Sequence, residues 1–128
     1  HYLYFIDLDN FKQLNDKCSH EFGDEVLLAV AKSLANTVRE TDTVFHISGD
    51  EFVIIAETDK PTIIRHKLHQ AIESCTLKFK GQPIALGGSV GFCRVMGRYA
   101  KALLEAADMA LQADKEDRRH QGLRHNRN

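Results

Sequence analysis

At 128 residues and 43% apolar side chains, the chain has room for one core and reads as a single globular domain. Lysine and arginine number 17 against 18 acids, a formal net charge of −1, so no overall basic field favours nucleic acid and there is no acidic tail. Cys18, Cys75 and Cys93 are odd in number, widely spaced and free of a C-x-x-C pattern, which argues against a disulfide framework or structural zinc and fits a reducing cytosol.

In chain order, Tyr2-Leu3-Tyr4-Phe5-Ile6 is apolar at both alternating positions, the pattern of a central strand covered on both faces. Domains seldom begin in such a strand, so residues are expected before His1. The strand ends in Asp7-Leu8-Asp9, and Asn10 to Asp16 carry a short helical pattern. Val26, Val30, Ala31, Leu34 and Val38 then recur at helical spacing, predicting an amphipathic helix over 24–38 with Asp24 as its N-cap. Thr43–Ile47 and Phe52–Ala56 read as two strands joined by Ser48-Gly49-Asp50-Glu51, a turn that carries two adjacent acids. Such neighbours repel unless water screens them or a cation neutralises them, so a solvated loop and a metal site both remain open.

Pro61 starts a predicted helix over 61–74, with Ile64, Leu68, Ala71 and Ile72 on one face. Residues 79–93 read as strand with a Gly81-Gln82 turn, and Gly87-Gly88 as a bulge or a point of close backbone approach. A last helix is expected from Tyr99, where Ala100, Leu103, Leu104, Ala107 and Leu111 form a stripe that Lys115 and Arg119 continue. The tail over 120–128 has no pattern and is expected to be mobile. No apolar run approaches the ~20 residues of a membrane span and no signal peptide is visible, so a cytoplasmic domain is expected, any anchor at the inner membrane lying elsewhere in the parent protein.

Strand, helix, hairpin, helix, strand, helix is the order of an α+β ferredoxin-like fold, a palm-like central antiparallel sheet flanked by helices. With right-handed crossovers the first two strands run parallel and the third returns between them, which brings the hairpin tip to the carboxyl end of the first strand. Asp7, Asp9, Asp50 and Glu51 are therefore expected at one sheet edge. Four carboxylates there call for a cation, and hard oxygen ligands suit Mg2+ with substrate phosphates completing its shell.

These residues carry a resemblance. Phe5-Ile6-Asp7-Leu8-Asp9-Asn10-Phe11-Lys12-Gln13-Leu14-Asn15-Asp16, His20, Phe22-Gly23-Asp24, Arg39-Glu40-Thr41-Asp42, Ser48-Gly49-Asp50-Glu51-Phe52, Ser89-Val90-Gly91 and Ala107-Asp108-Met109-Ala110-Leu111 resemble, in order, the GGDEF domain of diguanylate cyclases. The resemblance implies a nucleotidyl-cyclase type of palm fold and an enzyme that condenses two GTP into cyclic di-GMP with release of pyrophosphate, one GTP per protomer of a homodimer. It implies Asp7 and Asp50 as carboxylate ligands of Mg2+ (or Mn2+), with the Leu8 carbonyl and Glu51 as further candidates. Asn15 and Asp24 would read guanine, Lys115 and Arg119 would hold phosphates, and Phe11, Lys12 and Gly49 would also bind substrate. Asp50 is the candidate for accepting the ribose hydroxyl proton, with Glu51 beside it. Arg39 and Asp42 resemble the family's inhibitory site for cyclic di-GMP. A sensory domain is expected elsewhere in the parent protein.

Each assignment has a plainer reading. Asp24 alone is a helix cap, Asn15 a loop residue, Lys115 and Arg119 the solvated end of a helix, and Arg39 and Asp42 a helix end with its turn. His66 and His69 lack a third ligand and read as solvated surface residues. A non-catalytic module binding GTP, cyclic di-GMP or a protein partner is the alternative function, while an RNA-binding module lacks the aromatic pair that stacking requires. Three departures from the pattern stand out: Ser48 in place of a glycine, the run Gln112-Ala113-Asp114 with Arg118 before Arg119, and the lack of the family's lead-in helix. Ser48 leaves Gly49 as the residue that admits a nucleotide, so Gly49→Ala is expected to lose GTP binding and spare the fold.

Overall fold

The computed structural model describes residues 1–103 together with Glu105 and Met109. It divides into two compact units, His1–Arg94 and Val95–Asn128. The first contains β1 (Tyr2–Leu8), α1 (Phe11–Lys17), α2 (His20–Thr37), β2 (Thr43–Ser48), β3 (Glu51–Ala56), α3 (Pro61–Glu73), β4 (Leu77–Phe79), β5 (Gln82–Ile84) and β6 (Gly88–Arg94). In the second, residues 97–103 are helical, in agreement with the expected last helix, and Lys115, Arg119 and the tail lie outside the described residues.

The main sheet has the order β2-β3-β1-β6. β3 is antiparallel to both of its neighbours, so β1 and β2 run parallel with β3 between them, as the right-handed crossover requires. This α+β arrangement is the ferredoxin-like order expected from the sequence. Tyr4, Ile6 and Leu8 of β1, Phe52 and Ile54 of β3 and Val90 of β6 point to one face. There they pack with Val26, Val30 and Leu34 of α2 and Leu68 and Ile72 of α3 as a single core.

Four expectations change. β1 is central but is not covered on both faces: Phe5 on its other face is 53% exposed. Alternation along β1 therefore separates a packed side from an open one, and the aromatic at position 5 had masked it. α2 begins at His20, and its N-cap is Ser19, whose hydroxyl accepts from Phe22 N at 3.0 Å, so Asp24 is an exposed residue of the second helical turn and not the cap. The Ser-x-x-Phe start lies outside the apolar repeat, which is why periodicity placed the boundary late. Residues 79–93 are not one strand: β4 and β5 form a separate two-stranded sheet, and β6 joins the main one. Their turn is Lys80-Gly81, both with positive φ, rather than Gly81-Gln82.

Gly88 meets the expectation of close approach, since a Cβ there would lie 2.9 Å from the Asp7 carbonyl and 3.3 Å from Ile72 Cδ1. All three cysteines are free. Among the described residues no helix is long and apolar enough to cross a membrane.

Candidate functional site

The carboxyl end of β1 and the β2–β3 tip meet through backbone bonds. Asp7 is paired with Glu51 across the β1–β3 ladder, and Leu8 N donates to the Asp50 carbonyl at 2.9 Å. On the other side, Asp9 N donates to the Gly87 carbonyl at 2.9 Å. These bonds fix where the acids emerge. Asp7 is held above its ordinary carboxylate range first by desolvation, then by the Asp50 charge and a hydrogen bond with Asp50, and further by the charges of Glu51 and Asp9. The backbone thus sets Asp7 beside Glu51 and Leu8 beside Asp50 at one sheet edge, with Asp9 turned to the Gly87 side.

As a donor set, however, it is smaller than four. Among the described residues no group of three or more His, Cys, Asp or Glu side chains could hold a metal ion. The pair Asp7–Asp50 remains, two hard oxygen donors in mutual repulsion. That fits a magnesium-type cation bound by two carboxylates and completed by substrate phosphates, and does not fit a closed protein cage.

The tip is strained in one place. Gly49 has φ +38° and nothing within 4 Å of where its Cβ would stand. The space admits a ligand, yet the backbone conformation favours glycine for its own sake, so Gly49→Ala cannot spare the fold entirely as expected. His46, unassigned from the sequence, braces the tip: its Nε2–H donates to the Gly49 carbonyl at 2.8 Å and its ring lies 4.9 Å from that of Phe52. Ser48 Oγ donates to Glu51 Oε1 at 2.9 Å. The signal for the second bond is a serine three residues before a glutamate across a two-residue turn.

A second cluster forms where α1 crosses α2. Asn15 lies against Gly23, where any Cβ would overlap Asn15 Oδ1, and this Oδ1 is buried without a partner among the described residues. Asp24, the other expected guanine reader, follows Gly23 in α2 and is exposed. The Phe11 side chain is 7% exposed and belongs to the core, so it is its backbone that a ligand could meet. Lys12 is exposed on the first turn of α1. Asp9, Asn10, Gln13 and Lys17 face Leu86 and Gly87 across a groove of about 390 Å³ on the other side of α1.

Arg39 and Asp42 are placed together, in the loop after α2 and not at its last turn. Asp42 accepts from Arg39 N at 3.0 Å and from Glu57 N at 3.3 Å, with Arg39 Nε at 3.8 Å, while Arg39 Nη2 donates to the Glu57 carbonyl. The pair therefore clasps the loop to the end of β3. His69 approaches Glu73 at 3.5 Å within α3, and His66 is exposed, in keeping with solvated histidines.

Comparison with known proteins agrees with this geometry. The family described as diguanylate cyclase, GGDEF domain, matches residues 1–121. The diguanylate cyclase DosC of Escherichia coli K12 is 36% identical over 116 residues, covering 86% of this chain and 25% of DosC. A sensory box/GGDEF family protein from Caulobacter crescentus superposes with a TM-score of 0.67 at 35% identity, over 91% of this chain and 78% of that one. The GGDEF domain of DgcB from the same organism, solved in complex with c-di-GMP, gives 0.64 at 28% identity, over 91% and 71%. This chain spans only 15–25% of the length of the first curated relatives it matches. With the fold, the acidic strand end and the Ser48–Phe52 tip all in place, the chain belongs to the GGDEF domain family of diguanylate cyclases.

Proposed function

We propose that the protein containing this chain is a diguanylate cyclase, which joins two GTP into cyclic di-GMP and releases pyrophosphate. The observation that carries the reading is the Asp7–Asp50 pair. Two carboxylates from segments more than forty residues apart are brought to one sheet edge by the Leu8–Asp50 backbone bond, and their repulsion is of the kind a cationic partner relieves. When bound there, Mg2+ or Mn2+ supplies charge stabilisation on the phosphates. Asp7 and Asp50 hold it, with the Leu8 carbonyl alongside, and Lys115 and Arg119 add cationic charge to the phosphates.

In each half-reaction a ribose 3′-hydroxyl attacks an α-phosphorus, the new P–O bond forms, and the bond to pyrophosphate breaks. Asp50 accepts the hydroxyl proton. Asn15 and Asp24 present amide and carboxylate groups to the guanine edge, and the buried Asn15 Oδ1 is an acceptor whose desolvation a guanine donor would offset. Gly49 gives the nucleotide an open approach to the tip. Because each protomer holds one GTP, the bond forms across a homodimer, in the cytoplasm. Arg39 and Asp42 serve as the product site, and regulation comes from domains elsewhere in the full-length protein.

The test is incubation of the full-length protein with GTP and Mg2+ and chromatography for cyclic di-GMP, beside Asp50→Ala. Product in the wild type and none in the variant is expected. Nucleotide binding without product under dimerising conditions would replace the cyclase with a regulatory GTP-binding module.

A further inference from the structure

Glu51 stands between two neighbours of opposite effect. In the β1–β3 ladder its partner is Asp7, and in the β2–β3 ladder its partner is Ser48. Directly opposed residues in a sheet have Cβ atoms about 5 Å apart, so a glutamate can reach either one. It takes the serine: Ser48 Oγ donates to Glu51 Oε1 at 2.9 Å. Asp7, its partner on the other side, is a second carboxylate that repels it.

The serine is where it is for a structural reason. The β2–β3 register shifts by one residue between His46 and Ser48, which sets Ser48 rather than Ile47 opposite Glu51. His46 holds that arrangement from the tip by donating to the Gly49 carbonyl and lying against Phe52. A glycine at position 48 would leave Glu51 with no donor on this side.

We propose that Ser48 holds the Glu51 carboxylate away from the Asp7–Asp50 pair. The cation site then offers two carboxylates instead of three, and its remaining positions stay open for nucleotide phosphates. This rests on the cation-and-nucleotide reading above. The hydroxyl-to-carboxylate bond is charge-assisted, and repulsion from Asp7 reinforces it, so both forces turn Glu51 the same way. A third carboxylate would tighten binding of a bare cation and occupy the position a phosphate oxygen needs. Ser48 is thus a positioning residue, and it makes cation binding depend on the nucleotide.

The probe is Mn2+ alone, followed by electron paramagnetic resonance on the full-length protein without nucleotide. Ser48→Ala and Ser48→Gly are expected to tighten Mn2+ binding by about tenfold, the size of effect usual for residues that orient ligands. Ser48→Thr keeps the hydroxyl and holds the wild-type value. Adding Glu51→Gln to Ser48→Ala abolishes the gain, because the released carboxylate is then absent. Unchanged or weaker Mn2+ binding in both hydroxyl-free variants, or a gain that survives Glu51→Gln, overturns the proposal. The two readings fail separately. A flat Mn2+ series in a protein that makes cyclic di-GMP removes only the role of Ser48, and the expected series in a protein that makes none removes only the cyclase.

Discussion

The side chain of Asn15 fills the space above Gly23, with its Oδ1 buried and unpartnered among the described residues. Gly23 lies inside α2, where alanine would ordinarily stabilise the helix by about 0.5–1 kcal/mol. Here the new methyl drives the Asn15 carboxamide out of its place. Gly23→Ala is expected to fold and to weaken GTP by about tenfold, the loss of roughly one buried hydrogen bond, with less effect on ATP. Isothermal titration with both nucleotides checks this, and equal losses for the two would remove guanine reading from Asn15.

Because Asp7 is raised above its ordinary value of 3.8, the fold binds its proton more tightly than the unfolded chain does. Stability from this group is full below 3.8 and is lost as pH rises through the raised value. Asp7→Asn removes that loss. It is expected to raise the melting temperature at neutral pH, flatten the profile above pH 4, abolish product formation, and remove most of the stabilisation that Mg2+ with GTP gives the wild type. Melting curves across pH, with and without Mg2+ and GTP, provide the measurement.

Tyr4 is fully buried and its hydroxyl donates to the Pro61 carbonyl at 3.1 Å, joining β1 to the start of α3. Burial, followed by the charges of Tyr2 and Asp42, pushes its pKa up to about 12. Tyr4→Phe leaves the carbonyl without its donor and is expected to cost about 1 kcal/mol. The wild type loses stability as pH climbs from 10 towards about 12, and the variant loses less. Urea unfolding at pH 8 and at pH 11 distinguishes them.

The Arg39–Asp42 clasp separates two roles that the motif merges. Asp42→Ala leaves the amides of Arg39 and Glu57 without their acceptor and is expected to destabilise by about 1–2 kcal/mol. Arg39→Ala, at a largely exposed guanidinium, costs less than about 1 kcal/mol and relieves inhibition by cyclic di-GMP. Inhibition that persists in Arg39→Ala would remove the product site and leave a loop clasp.

At Gly49, the positive φ adds a stability cost of about 1 kcal/mol to alanine beyond any lost binding. Asparagine tolerates that backbone better. Gly49→Asn is therefore expected to keep more stability than Gly49→Ala while both lose GTP affinity. Affinity retained in both variants would count against the tip as part of the site.

Much of this was legible because chain order and right-handed crossovers leave few ways to lay four strands. Topology alone brings the Asp7–Asp9 strand end and the Asp50–Glu51 tip to one edge, and the backbone bond from Leu8 to Asp50 bears that out. What was illegible depended on single atoms. Nothing in the spacing of apolar residues shows that Ser19, and not Asp24, caps α2, since a cap is defined by one hydroxyl and one amide. Phe11 belongs to a motif expected to meet a ligand, yet its own side chain is spent in the core, a difference that only packing reveals. The turn between β4 and β5 depends on two positive φ values at Lys80 and Gly81, of which only the glycine announces itself.

The placement of β3 between β1 and β2 also orders events in time. Neighbouring strands β2 and β3 can zip locally, but the acid pair exists only after β3 has closed a loop of more than forty residues onto β1, the slower, non-local step. A partly folded molecule in which β3 has not reached β1 would therefore not present the Asp7–Asp50 pair.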